Sequence, residues 1–386
     1  MPRYSIDTRS LQPGDIYIPV KGERFDGHDF IAEAQRKGAA QILDVELGPF
    51  AAQQRHGYKI PIIGVTGSAG KTSVKNMLAA VLTQKFRVVA TEHNLNNEVG
   101  VPLTLLKIQP DTEIAVVEMA LRHTGDLKRL AQWVAPTHAV ITNIGFTHLG
   151  QFKNRDELAT AKLEILEGKP APRQVFINKR DDYAAVITEA ASKRKVTCNY
   201  FDGDDGFAQN RALVSSVAKH FGLSDAQIEA GLLQVSASPH RLALHKLARD
   251  ITLIDDSYNA NPHSMRAACV YARDLYLPAD SPPLAFVLGD MLELGAESMR
   301  LHQEFINWLA EHVPAAWLLW VGAAADQLIW PSSLNVKQLP DWEAAVPEFK
   351  KRLADLPARA TILVKASRGI ALDKLVAAVA AEHARA

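Results

Sequence analysis

Cysteine is scarce in this chain of 386 residues: only Cys198 and Cys269 occur, far apart and outside any CxxC spacing. That excludes a disulfide framework and a thiolate zinc site, and it fits a reducing compartment. Net charge is also missing, because 43 Lys plus Arg balance 43 Asp plus Glu. No global field draws the chain to nucleic acid or to an anionic membrane, so an anionic substrate has to be held by a local pocket. No stretch approaches the roughly 18 uncharged apolar residues of a membrane span. The opening residues MPRYSIDTRS lack the apolar core of a secretion signal, so a cytoplasmic protein is expected, acting as a monomer on small molecules. Internal repeats and low-complexity tracts are absent as well.

What remains is ordinary globular material, 47% hydrophobic and 22% charged, long enough for two or three domains with real cores. Apolar runs that read as buried strands alternate with amphipathic stretches of helical length, the pattern of parallel α/β domains. A first unit, residues 1–58, has a strand at Asp15–Val20, a helix at Asp29–Lys37 and a second strand within Gly38–Leu43, and the polar stretch Gln53–Lys59 closes it. A second, residues 59–235, opens with the strand Ile60–Val65, a glycine-rich turn and the helix Thr72–Gln84. Strands follow at Arg87–Ala90, Glu113–Glu118, His138–Asn143 and Gln174–Asn178. A third, residues 236–386, has strands at Ile251–Asp255, Leu284–Leu288, Trp317–Val321 and Thr361–Lys365.

The turn after the strand Ile60–Val65 is the most informative segment. It reads Gly64-Val-Thr-Gly-Ser-Ala-Gly-Lys-Thr-Ser73, between a strand and a helix. In that context glycines let backbone N–H groups converge on phosphate oxygens, and the helix start adds a favourable dipole. Lys71 supplies a point charge, and Thr72 a hydroxyl for Mg²⁺. Val65 occupies the place of the first glycine in the general phosphate-loop pattern, leaving Thr66-Gly67-x-x-Gly70-Lys71-Thr72. Gly67, Ser68, Ala69, Gly70, Lys71, Thr72 and Ser73 are therefore the expected ATP contacts. Chemistry on a triphosphate needs cations, hence oxygen or imidazole ligands at neighbouring strand ends. Glu118 closes one such strand, and His148 follows another through Ile-Gly-Phe-Thr. Each alone reads as a solvated acid or a structural histidine, and their convergence on one loop makes them metal candidates. Lys162 by itself reads as a solvated helix lysine.

The TGxxGKT loop resembles that of the Mur ligase family. Asn94-Leu-Asn-Asn-Glu-Val-Gly-Val-Pro-Leu-Thr-Leu-Leu106, Asp255-Asp-Ser-Tyr-Asn-Ala-Asn-Pro-His-Ser-Met265, Gly289-Asp-Met-Leu-Glu-Leu-Gly295 with His302, and Lys365-Ala-Ser-Arg-Gly369 are similar to segments of its MurF branch. Ser5-Ile-Asp-Thr-Arg9 and Phe25-Asp-Gly-His-Asp-Phe30 resemble the UDP-sugar-binding domain of that branch, so the likeness runs from about residue 5 to about 375. The resemblance implies a three-domain α/β architecture: a small N-terminal domain for the UDP-precursor, a central phosphate-loop ATPase domain, and a C-terminal Rossmann-like domain for the incoming amine. It also implies an ATP-dependent, ADP-forming ligase that adds D-Ala-D-Ala to UDP-N-acetylmuramoyl-tripeptide through an acyl phosphate. Mg²⁺ would be held by Thr72, Glu118, His148 and a carbamylated Lys162, the catalytic set being Lys71, Glu118, His148 and Lys162. Asn210, Arg241 and Asp256 would join the ATP site. The substrate contacts would be Asp7, Thr8, Arg9, Asp26, Gly27, His28, Asn94, Asn96, Asn97, Tyr258, Asn259, Asn261, Lys365, Ser367 and Arg368.

Some positions depart from the branch. His93 replaces a glycine, Glu118-Met-Ala120 replaces EMG, Asn178-Lys-Arg-Asp-Asp182 alters a turn, and a few polar residues between Tyr200 and Asn210 stand where the branch has extra strands. The chain also begins almost at the SxDTR segment. These changes leave the ATP site intact and motivate an alternative, a MurF-like ligase joining a different carboxylate and amine. A nucleotide-binding partner protein without turnover is the reading from another class.

Overall fold

The computed structural model describes residues 3–22, 25–147, 149–204, 206–235, 240–275 and 283–383, with side chains to 380. Compactness divides the chain into two units: Met1–Ile144, Asp156–Asp204 and Ala208–Val235 form one, and Gly145–Arg155, Asp205–Phe207 and Ser236–Ala386 form the other.

The first unit carries two sheets. The smaller has three parallel strands in the order β1 (Tyr4–Ser5), β2 (Ile16–Tyr17) and β3 (Gln41–Ile42). They are shorter than the expected Asp15–Val20, and Pro19, which has no N–H to donate, follows closely on β2. Helix α1 (Ile31–Arg36) follows a 3₁₀ turn at Gly27–Phe30 whose first turn is capped by Asp26. Helix α2 (Leu47–His56) runs into the polar stretch expected to close the first unit. Its face of Leu47, Ala51, Ala52 and Arg55 is buried, and the guanidinium of Arg55 donates to the carbonyls of Val134, Tyr58 and Ala135.

The larger sheet contains β4 (Ile62–Thr66), β5 (Val88–Ala90), β6 (Ile114–Glu118), β7 (His138–Ile141), β8 (Gln174–Asn178) and β9 (Thr197–Phe201), all parallel, in the order β5-β6-β4-β7-β8-β9. Every residue of β4, β6 and β7 is buried, as apolar strands covered on both faces require. Because β4 lies between β6 and β7, the chain reverses its direction of winding at β4, where open parallel sheets bind ligands beyond their carboxyl ends. Register fixes the neighbours: Val65 pairs with Glu118 and Thr66 with Ile141. Helix α3 (Lys71–Leu82) leaves β4 through the glycine-rich turn. The remaining helices of this part are α4 (Gly100–Leu105), α5 (Asp126–Val134), α6 (Arg155–Leu163), α7 (Ala184–Lys193), α8 (Gly206–His220) and α9 (Asp225–Leu233).

The second unit has one six-stranded sheet built from β10 (Ala243–Lys246), β11 (Thr252–Asp255), β12 (Leu284–Gly289), β13 (Trp317–Val321), β14 (Val336–Leu339) and β15 (Thr361–Lys365). Its order is β10-β11-β15-β12-β13-β14, parallel except for β10. Helices α10 (Pro262–Asp274), α11 (Ser298–His312), α12 (Trp342–Asp355) and α13 (Leu372–His383) complete it. The strands β9, β10 and β14 are edges of mixed burial, and they carry no continuous apolar run that a sequence reading could detect. Among the described residues no helix is long and apolar enough to cross a membrane, and both cysteines are free thiols.

Candidate active site

Strand β4 ends at Thr66 and the chain turns at Gly67, whose φ of +145° suits glycine alone. Gly70, at φ +79°, caps α3 in the left-handed conformation and lies against the side chain of Asn210. Lys71 folds back across the turn and donates to the carbonyls of Gly67 (2.8 Å) and Ser68 (3.4 Å). Ser73 is half-buried one residue beyond Thr72 on α3. The N–H groups of Ser68 and Ala69 point to β7 rather than into the turn: they donate to the main-chain oxygen and to Oδ1 of Asn143, at 2.9 and 3.0 Å.

Beside this turn Glu118 is 1% exposed, not solvated as a lone acid at a strand end is expected to be. Its Oε1 accepts from Thr72 Oγ1 (3.1 Å) and from Asn96 Nδ2 (2.8 Å), and its N–H donates to Thr91 Oγ1 (2.9 Å). Its Oε2 is buried and has no hydrogen-bond partner among the described residues. A buried carboxylate oxygen without a partner is costly, and it is what a hard divalent cation would satisfy together with the Thr72 hydroxyl. Among the described residues no three His, Cys, Asp or Glu side chains converge as a cluster. His148, the imidazole expected here, lies outside the described residues.

Lys162 corrects its reading as a solvated lysine. It is 1% exposed on α6, where no carboxylate of the described residues pairs with it. Burial, and secondly the charge of Lys71, hold its ammonium well below the usual lysine range. Two residues on, Glu164 accepts from the N–H groups of Gly125 (2.8 Å) and Lys128 (3.0 Å) and so caps α5; its burial raises its pKa.

The two adjacent amides of the asparagine-rich segment have different partners. Asn96 reaches Glu118, whereas Asn97 Oδ1 accepts from Val99 and Gly100 N–H and caps α4; Asn94 is exposed. In the small sheet's loops, Arg9 clamps Asp7 and holds its carboxyl below the usual range, while Thr8 is buried and its carbonyl accepts from Lys37. His28 bridges Asp26 (2.6 Å) and Asp44 (3.1 Å), which raises its pKa, Asp26 first. Gly27 has Val20 N 2.5 Å from where a Cβ would stand.

In the second unit the ends of β11 and β15 are locked together. Lys365, 2% exposed, donates to Asp256 Oδ2 (2.6 Å) and to the Asn259 carbonyl (2.8 Å). Arg241 stacks 4.0 Å from the centroid of Tyr258, with Arg368 at 5.9 Å from the same ring. Arg368 N–H donates to Asn259 Oδ1 (3.4 Å). Asn261 caps α10, and Ser367 Oγ accepts from Leu292 N–H (2.8 Å) and donates to Ala260 O (3.3 Å), so both fix backbone. His302 is also structural: Nε2 accepts from Met291 N–H (2.8 Å), and Nδ1 bonds Ser298 O (2.7 Å). Sequence reasoning passed over Thr91, Asn143 and Gln209, and also the buried Asp255, held by Ser257 and His240. For Thr91, Asn143 and Asp255 the only sequence signal is a polar residue where an apolar strand meets its loop; Gln209, inside α8, carries none.

Three family models match the chain: the Mur ligase family catalytic domain over residues 3–96, the Mur ligase middle domain over 65–236, and the Mur ligase glutamate ligase domain over 240–368. The chain is similar to UDP-N-acetylmuramoyl-tripeptide–D-alanyl-D-alanine ligase of Escherichia coli K12, with 31% identity over 426 residues, 97% of this chain and 92% of that protein. It is similar in structure to MurF from Acinetobacter baumannii, with TM-score 0.84 and 29% identity over 98% of this chain and 93% of that one. It shares the fold of the MurF ligase from Thermotoga maritima in complex with ADP, with TM-score 0.81 and 24% identity over 100% and 98% of the two chains.

Proposed function

The chain belongs to the Mur ligase family, and from that premise we propose that it adds D-Ala-D-Ala to UDP-N-acetylmuramoyl-tripeptide in peptidoglycan precursor synthesis. The observation that carries the reading is the buried group beside the start of α3: Thr72 and Asn96 converge on Glu118, whose second oxygen has no partner among the described residues.

Direct attack of an amine on a carboxylate anion is too slow to use, so the reaction is divided. The tripeptide carboxylate attacks the γ-phosphorus of ATP and releases ADP; the amine of D-Ala-D-Ala then attacks the acyl phosphate and expels phosphate, losing a proton. Lys71 and the N–H groups that open α3 hold the triphosphate and spread its charge, so positioning and electrostatics supply most of the rate. Mg²⁺, held by Thr72, Glu118, His148 and Lys162, would neutralise charge on the transferring phosphoryl group. Lys162 suits that set as a carbamate, and its burial without a carboxylate partner among the described residues supports this. Asn210, Arg241 and Asp256 are the further nucleotide contacts this reading assigns; Tyr258, Asn259, Lys365 and Arg368 are those it assigns to the amine, and the loops of Asp7, Arg9, Asp26 and His28 those it assigns to the UDP-precursor. The corresponding domains are residues 1–58, 59–235 and 236–386, a division supported by one sheet in each. The reading puts the protein in the cytoplasm as a monomer.

The test is phosphate release from ATP and Mg²⁺ with UDP-N-acetylmuramoyl-tripeptide, with and without D-Ala-D-Ala, beside a Lys71→Ala control. Release that needs both substrates and vanishes in the control supports the proposal. Release indifferent to both sinks it and turns the search to other carboxylates and amines, to which the short connection between β9 and α8 gives a motive.

A further inference from the structure

The phosphate loop is held from behind by a polar clasp that the reaction scheme leaves unused. Ala69 has both of its backbone polar groups engaged: its N–H donates to Asn143 Oδ1 (3.0 Å), and its carbonyl accepts from Asn143 Nδ2 (3.2 Å) and from Thr142 Oγ1 (2.6 Å). Ser68 N–H donates to the Asn143 carbonyl (2.9 Å). Gln209, 4% exposed on α8, braces the same point by donating from Nε2 to the Thr142 carbonyl (2.6 Å). Asn143 thus uses its amide as donor and as acceptor on the two peptide groups that flank Ala69, which fixes the orientation of that residue's backbone as one bond could not. With the N–H groups of Ser68 and Ala69 engaged by Asn143, just beyond β7, phosphate recognition falls to the N–H groups opening α3 and to Lys71.

We propose that Asn143 is a positioning residue for the nucleotide: by clasping the backbone on both sides of Ala69 it holds the phosphate loop in its receptive shape before ATP arrives, with Gln209 bracing the clasp through Thr142. It touches no reacting atom. Without it the loop would sample other shapes, and the apparent affinity for ATP would fall by the fraction of time spent in the receptive one. The inference rests on reading this loop as the ATP site.

The experiment measures Kd for a non-hydrolysable ATP analogue, together with kcat and all three KM values, for wild type, Asn143→Ala and Gln209→Met. The loss of two neutral hydrogen bonds predicts a roughly tenfold rise in Kd and in KM for ATP in Asn143→Ala. The kcat at saturating ATP should stay within about threefold, and the other two KM values within about twofold. Gln209→Met, which keeps the side chain's volume, should give the same selectivity at about threefold. An unchanged Kd in both variants, or kcat and every KM shifting together, overturns the proposal, since a purely structural residue would not single out ATP. If wild type fails to bind the analogue, or Lys71→Ala binds it as well as wild type does, the reading of the loop itself has failed, and the two failures are distinct.

Discussion

Gly67 is the position where the phosphate loop tolerates least. A Cβ built there would stand 1.9 Å from Thr142 Oγ1 and 3.0 Å from both Thr142 Cβ and the Thr142 nitrogen, on a backbone with φ of +145°. Gly67→Ala therefore carries two costs: about 1–3 kcal/mol for holding a side chain in that conformation, and about 1–3 kcal/mol for overpacking a filled site. Together they predict a destabilisation of roughly 3–4 kcal/mol, with a matching weakening of ATP binding as the loop moves to relieve the clash. Thr142→Ala removes the nearest atom at the cost of the Oγ1 bond to Ala69, worth about 1 kcal/mol. The double variant should then be more stable than the sum of the singles predicts, by about 1–2 kcal/mol. Urea unfolding followed by circular dichroism measures the cycle, and hydrogen exchange over residues 62–82 shows whether the loss is local. A Gly67→Ala protein within about 1 kcal/mol of wild type, or strictly additive effects, would refute the reasoning.

Further consequences concern charge and buried polar groups. His138 Nε2 lies 3.2 Å from His220 Nε2, and burial, then His220 and Arg173, lower its pKa to about 4. The unfolded chain, with a histidine pKa of ~6.5, binds the proton first, so this stability is present above that value and falls away as pH drops toward about 4. It should amount to about 2 kcal/mol between pH 7 and pH 5, and His138→Gln should flatten that part of the pH profile of the urea midpoint. Arg55→Met leaves three carbonyls without their donor and should lower stability by about 2–4 kcal/mol in the same unfolding assay. Asp290→Ala strands Trp320 Nε1 and Ala324 N–H, now 2.8 and 3.0 Å from its oxygens, and should cost about 2–4 kcal/mol with a red-shifted tryptophan emission. Glu118→Gln should lower kcat by on the order of a hundredfold without lowering the thermal midpoint of the ligand-free protein, because it removes a buried charge with an unsatisfied oxygen.

The sequence by itself determined the parts of this protein whose cause is local. A strand buried on both faces is written as an uninterrupted apolar run, and β4, β6, β7, β8, β12, β13 and β15 all lie within a residue or two of where those runs predict. The turn at Gly67–Gly70 is equally local, because only glycine accepts those φ values and a helix start follows at once. The edge strands β9, β10 and β14 and the helix α2 were not legible, since a half-exposed element mixes polar and apolar residues without a clear period. Only the tertiary structure decided which of two neighbouring asparagines meets Glu118 and which caps α4, that Lys162 is buried, and that Asn143 clasps Ala69. These depend on strands that are distant in the chain and adjacent in the sheet. A polar side chain's role is set by the partner that burial brings to it, and that partner is chosen by the order of the strands.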